Sequence, residues 1–470
     1  MKRGIKTYGM ALLGVLCMVL TMPYLITAAQ APQEMQAPKG PTYMPVVIEQ
    51  DFKTIRDRDT AAKPEVMKRQ MDLVNDRYDL SNRPAAGVMM AGGRKAVQEG
   101  VRVKLPQGMT WERLADTSPD EIREKDLYPR GFLPLPHVKH EVGGMVFPKF
   151  EIDEVRKQEG RSLERFDVDV DLPEHLLPEF PPPIFLTTRP ELGDVSQGKL
   201  LTIKNYYEIM QGILTPVQMD GLRLLLTPFP QQQFNQTEDR KTEEQSLGVT
   251  CLDCHTNGAF HLNPDNRPQA ARFRIDTVSL RGMFNQQVHG SKRSLRSVED
   301  FTEFEQRTAY FDGDQVIAAK KGVNLPDRAS QVVLMAQMQN MFDFPPAPKL
   351  TALGKLDPAK ATPEELSGQE LFFGKAQCGV CHPAPFYLDD KMHDLKVERF
   401  YKPQMINGEW IHAEGPIKAF TLRGIKDSPP YLHDGRLLTL DDTVEFFNLV
   451  LGLKLKADEK KALVAFMRQL

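Results

Sequence analysis

Cysteine is scarce in this chain, with five in 470 residues. So few thiols leave little material for a disulfide framework, while 41% apolar residues are enough for real hydrophobic cores. Net charge is nearly absent as well: 60 lysines and arginines face 63 aspartates and glutamates. No basic excess marks a surface for nucleic acid, and none is expected as a partner. A mildly acidic surface favours encounter with a basic partner, which bears on association rate and not on fold or reaction. At this length two or three domains are expected.

The first 29 residues stand apart from that balance. Lys2, Arg3 and Lys6 precede a mostly apolar run from Tyr8 to Ile26, which ends in the small residues Ala28 and Ala29. This is the layout of a secretory signal, with Thr27-Ala28-Ala29 as the cleavage site. Cutting two residues later would leave Pro32 just after the cut, so the earlier site is preferred. Residues 8–28 are also nearly long enough to span a bilayer, which takes roughly 20 residues, so an uncleaved membrane tether is the alternative. Either way the body is expected outside the cytoplasm, in the periplasm. Losing the segment takes the formal charge from −3 to −6.

Cys17 lies in that segment, and the other four cysteines form two pairs. Cys251-Leu252-Asp253-Cys254-His255 and Cys378-Gly379-Val380-Cys381-His382 each place a histidine directly after two thiols separated by two residues. Covalent haem attachment needs two thiols to add to two vinyl groups and an imidazole one residue on to reach the iron. Zinc clusters draw such pairs from one small module, whereas these begin 127 residues apart. A redox dithiol would not require the histidines. Two covalently bound haem c groups are therefore expected, with His255 and His382 as the iron ligands and no spare thiol.

The flanking sequence repeats along with the motifs. Thr215-Pro216 and Thr362-Pro363 each open an apolar-periodic segment in the manner of a capped helix. Downstream, Thr277-Val278-Ser279-Leu280-Arg281-Gly282-Met283 parallels Ala419-Phe420-Thr421-Leu422-Arg423-Gly424-Ile425, and Ser297 to Phe304 parallels Thr439 to Phe446. The expected fold is mainly α: two tandem cytochrome c-like haem domains, at 200–348 and 349–470, behind a long, irregular N-terminal extension. Phe344-Pro345-Pro346-Ala347-Pro348 closes the first, because it cannot continue a helix. In the second, Leu463, Phe466, Met467 and Leu470 fall on one helical stripe, read as core. The extension, 30–199, is rich in proline and poor in long periodic runs. It is expected to wrap on the haem domains with short helices such as Lys63 to Tyr78. His137 and His140 within it, three residues apart with no cysteine nearby, are read as surface residues, not a metal pair.

Gly415 to Ile425, then Pro429-Pro430-Tyr431-Leu432-His433-Asp434-Gly435-Arg436 and the closing Glu459 to Leu470 segment, strongly resemble the bacterial dihaem cytochrome c peroxidases and the related MauG proteins. The resemblance covers about 215–470, with its more specific motifs in the C-terminal half, and leaves 32–200 unmatched. It implies a first haem that meets hydrogen peroxide and a second that accepts electrons from a small donor protein, a cytochrome c or a cupredoxin. It also implies His255 and His382 as proximal ligands, and places His433 near the haem edge between the two centres. A polar turn residue such as His433 also serves local hydrogen bonds, which is its alternative reading.

Two positions depart from that pattern. The family's sixth ligand to the second haem, fourteen residues past the histidine, falls on Phe447, which cannot ligate iron. Either that iron is five-coordinate, or Met392, His393, Met405 or His412 supplies the bond. The tryptophan that the peroxidases carry between the haems is absent, its nearest counterparts being His289 and Phe311. For the peroxide face, which needs a base and polarising donors, the candidates are His261, His289, Glu303, Glu305 and Asp312. Glu305 leads because the repeat sets it opposite Phe447, and its bland alternative is a solvated helix acid. His261, six residues past His255, alternatively meets a propionate or solvent. Three activities fit this constellation: peroxide reduction, MauG-like oxidation of a protein or organic substrate, and non-enzymatic electron transfer in a membrane-associated complex.

Overall fold

Thr215 and Thr362 begin their helices in the same way in the computed structural model. Each hydroxyl accepts the backbone N–H three residues on, and Gln218 or Glu365 returns the bond to the threonine N–H. A proline follows each threonine at the first helical position, where its missing N–H costs nothing. The structure describes residues 52–138, 147–169, 171–228, 249–255, 274–291, 295–311, 329–411 and 413–470. The expected signal or tether lies outside them, and among the described residues no helix is long and apolar enough to cross a membrane.

In chain order the helices used below are α1 (Phe52–Arg77), α2 (Lys149–Glu159), α3 (Pro216–Leu225), α4 (Cys251–Cys254), α5 (Val298–Phe311), α6 (Ala329–Gln339), α7 (Pro363–Phe373), α8 (Leu440–Val450) and α9 (Ala457–Met467). Sheet is confined, among the described residues, to three two-stranded pairs. One of them joins β1 (Gln404–Ile406) to β2 (Glu409–Ile411) through a turn at Asn407-Gly408, where both residues have positive φ.

Helix α3 packs on α6 and α7 packs on α9, each pair meeting at a glycine. A Cβ on Gly221 would lie 2.1 Å from the Leu334 carbonyl oxygen, and one on Gly368 would lie 1.9 Å from that of Ala462. The two glycines hold the same place in the repeat, six residues after Thr215 and Thr362. The downstream repeat also has a structural counterpart. His289 bridges Leu295 as Tyr431 bridges Leu437, and α5 and α8 begin three residues after those bridges. Ser297 and Thr439 cap these helices through the N–H of Asp300 and Asp442. Gly282 and Gly424 both adopt positive φ, and the ring of Phe344 and the ring of Pro345 press on them in turn.

The extension departs from the sequence expectation in two respects. The helix expected from Lys63 starts at Phe52 and runs through Pro64, which deprives it of one hydrogen bond to the Thr60 carbonyl without ending it. Moreover, the extension does not merely cover the C-terminal half. Val74, Tyr78, Val103, Leu114, Ile122, Phe132 and Leu176 share one buried cluster with Phe372, Phe400, Phe446, Leu463 and Phe466. Main-chain bonds fasten the two parts: Asp442, in the first turn of α8, accepts the N–H groups of Arg102 at 2.7 Å and Val103 at 3.0 Å. His137 is buried here, not at the surface, and His140 lies outside the described residues. The stripe of Leu463, Phe466, Met467 and Leu470 is fully internal.

Because both obstructing groups are main-chain carbonyls, Gly221→Ala and Gly368→Ala each force two helices apart. Each is expected to cost about 2 kcal/mol or more in chemical denaturation, whereas Ser367→Ala, on the exposed side of α7, should leave the midpoint within error.

Candidate functional site

The first thiol pair sits on α4, a single turn capped by Thr250, whose N–H in turn donates to Asp253 at 2.6 Å. Arg161 of the extension clamps the same carboxylate with two bonds, at 2.8 and 3.2 Å. Cys254 is buried among Phe147, Ile152, Val155, Leu163, Leu200 and Val249. Burial, then the charges of Asp253, Glu151 and Glu305, push its thiol well above the ordinary value. Glu305 is thus within electrostatic reach of this pair, half-buried on α5. His255 donates from Nδ1 to the Val278 carbonyl at 2.7 Å, and burial lowers its pKa to about 4.

The second pair lies on a short 3-10 turn, Cys378–Val380. His382 repeats the arrangement, with Nδ1 donating to the Tyr387 carbonyl at 2.9 Å, and burial again lowers its pKa. Tyr387 is itself fixed by its buried hydroxyl on Gly354 O. Both imidazoles are therefore neutral at pH 7 with the proton on Nδ1, so that Nε2 carries the lone pair. That is the state and the second-shell bond that a metal-ligating histidine requires. All four thiols are free of disulfides. The residues present thus fit two covalently held haems.

Around His382 the structure leaves a cavity of about 300 Å³. Cys381, Phe420, Tyr431, His433, Phe446 and Phe447 line it, and so do Asp276, Val278 and Arg281 from the segment that holds His255. His433 is nearly buried, with Nε2 3.2 Å from Glu414 Oε1. Glu414 also pairs with the fully buried Arg436, which bonds Asp434 at 2.8 Å. Burial favours the neutral acid at Asp434, but Arg436 and His433 outweigh it and hold the carboxyl below its usual range. Neither Glu414 nor Arg436 stood out in the sequence as a site residue, although Arg436 ends the Tyr-x-His-x-Gly stretch that carries His433.

The remaining sequence candidates are scattered. His289 does not line the cavity; it is buried beside Phe301, with its Nε2 unpartnered among the described residues. Glu303 lies on α5 near Glu305, while His261 and Asp312 lie outside the described residues. Among the substitute ligands for the second iron, Met405 is exposed on β1 and Met392 is not on the cavity wall. His393 lines the cavity, but its Nε2 is 2.8 Å from Asp389 Oδ2. His412 is outside the described residues.

No family model matches the chain. Among curated proteins, the cytochrome-c peroxidase IdrP2 of Denitromonas iodatirespirans is 31% identical over 153 residues, or 25% of this chain and 42% of that protein. The methylamine utilization protein MauG of Methylorubrum extorquens is 27% identical over 107 residues, or 21% of this chain and 27% of that protein. Over about a quarter of its length the chain is similar to cytochrome c peroxidases and MauG. It spans less than half the length of the curated relatives it matches. A solved MauG-like protein associated with microbial copper homeostasis aligns over 64% of this chain and 94% of its own at 16% identity. Its TM-score of 0.36 is too low to carry an argument.

His289 makes stability depend on acid. Burial first, and Lys418 second, depress its pKa to about 4, so the unfolded chain binds a proton that the folded one refuses. Stability should therefore fall as pH drops from about 6.5 towards 4, by about 2 kcal/mol at pH 5. Chemical denaturation of His289→Phe at pH 7 and pH 5 should show that part of the slope removed.

Proposed function

We propose that this chain is a dihaem c-type cytochrome of the periplasm that reduces hydrogen peroxide to water. Cys251, Cys254 and His255 hold one haem, and Cys378, Cys381 and His382 the other, each in its own cytochrome c-like domain. A small cytochrome c or cupredoxin supplies the electrons. The observation that carries the proposal is the matched pair of buried imidazoles, each with Nδ1 on a carbonyl and each directly after a pair of cysteines two residues apart. The haem irons, when bound, supply the centres at which electrons are stored and passed to peroxide.

The protein's own groups do the rest. Reduction consumes two electrons and two protons per peroxide and gives two waters, so the site needs a group that moves a proton between the two peroxide oxygens. Glu305 is that group in our proposal. It lies near the first thiol pair, and the aligned bridges and caps set it seven residues into α5, where α8 carries Phe447. The second site has no carboxylate at that position, so the proton step belongs to the first. Asp276 to Arg281 connects the two, bonding His255 at Val278 and walling the cavity beside His382.

Purified protein should carry two haems by mass and turn over peroxide with a reduced cytochrome or cupredoxin, after reduction of one haem where that is required. Glu305→Gln should lower turnover by about 100-fold or more with the haem spectra unchanged. An inert protein in which both irons are six-coordinate would make it an electron-transfer cytochrome instead. A Glu305→Gln variant with wild-type turnover would remove that residue from the proton step.

A further inference from the structure

The cavity beside His382 is polar at one corner and apolar across the wall formed by α8. That helix turns Thr443, Phe446 and Phe447 to the cavity, and the Thr443 hydroxyl is spent on the Thr439 carbonyl at 3.0 Å. Phe446 and Phe447 meet edge to face, with centroids 5.3 Å apart. Neither ring offers a lone pair to a metal.

On the described wall the Nε2 atoms of His393 and His433 and both lysine amines are already committed. His393 Nε2 faces Asp389 at 2.8 Å, and the two share a tight cluster with Cys381, on the attachment side. His433 Nε2 faces Glu414 at 3.2 Å. Lys418 Nζ donates to Gln286 Oε1 at 2.6 Å, and Lys396 Nζ pairs with Asp394 at 2.8 Å. Tyr431 is buried, and that burial, with Asp427 nearby, keeps its phenol protonated and a poor ligand. Methionine is missing from the described lining altogether.

We propose that the second haem site keeps one iron face open and binds a small exogenous ligand there, peroxide among them. This rests on the reading that Cys378, Cys381 and His382 hold a haem. The ligand enters between the Phe447 wall and the polar corner of His433, Glu414 and Arg436. The corner supplies what a small oxygen or nitrogen ligand needs beyond the iron: an imidazole paired to a carboxylate and a buried guanidinium, both lining the same cavity. In this chain the second site is therefore a binding site in its own right and not a closed relay. Where α5 carries Glu305, α8 carries Phe447.

Carbon monoxide binding to the fully reduced holoprotein tests the proposal without reference to turnover. Two equivalents per chain are expected for the wild type. Phe447→Met places a thioether donor on the same wall and should reduce the count to one, converting one high-spin ferric haem to low spin in electron paramagnetic resonance. Phe447→Leu, apolar and without a donor, should keep two. A wild-type count of one, with the spin state unaltered in Phe447→Met, overturns the proposal. If the methionine variant does not fold, the wild-type count decides alone. A chain carrying only one haem by mass would instead defeat the functional reading on which this rests, so the two failures are distinct.

Discussion

The hydrogen bond from His255 Nδ1 to the Val278 carbonyl is the constraint on which the rest of the arrangement turns. It fixes one imidazole in the tautomer that leaves Nε2 free, and does so from a segment that also walls the cavity around His382. The Asp276 N–H extends the link by donating to the His433 carbonyl at 2.7 Å. Moving this segment would disturb the ligand geometry of one site and the shape of the other together. That link is physical and short: two hydrogen bonds, one to the Val278 carbonyl and one to the His433 carbonyl, tie the neighbourhoods of the two histidines together.

Coverage separates two sites that the repeat makes alike. At the first, Leu252 is only 3% exposed and Asp253 is clamped by Arg161, so the attachment turn is sealed by the extension. At the second, the equivalent of Asp253 is Val380, 71% exposed between its two cysteines. That apolar side chain leaves the second turn exposed where the first is covered. The extension therefore has a physical role at the first site: Arg161 and the cluster around Cys254 shield that turn from solvent.

Much of this was legible in residues with strong local rules. The thiol pairs with their histidines, the threonine-proline starts and the Leu463 to Leu470 stripe all obey spacings that chemistry or helix geometry imposes. The doubled Arg-Gly at 281–282 and 423–424 was visible as a repeat, and the structure supplies its cause in the positive φ of both glycines. What stayed hidden was decided by contacts distant in sequence. Nothing near Arg161 announces Asp253, 92 residues away. Glu414 acquires meaning only when the fold brings it to His433 and Arg436. The start of α1 was missed because proline is a good sign of a helix beginning and also, less often, survives inside one.

The corner formed by Glu414, His433 and Asp434 has the spacing of a metal site, since its ligand atoms lie within 4.8 Å of one another. Its electrostatics argue otherwise. Arg436 is fully buried between the two carboxylates, bonding Asp434 through Nε and Glu414 through both terminal nitrogens. It also donates to the Phe132 carbonyl at 3.1 Å, so its position is set by the extension. Asp434 is further tied to the Leu135 N–H at 2.9 Å. A divalent cation would have to displace or repel a guanidinium with no route to water, and breaking such buried pairing costs about 3–5 kcal/mol. The guanidinium already supplies the positive charge that a metal would bring. With both carboxylates neutralised in this way, His433 is held at the cavity by Glu414 without being drawn into a metal cluster, and its corner stays available to whatever occupies the space beneath Phe447.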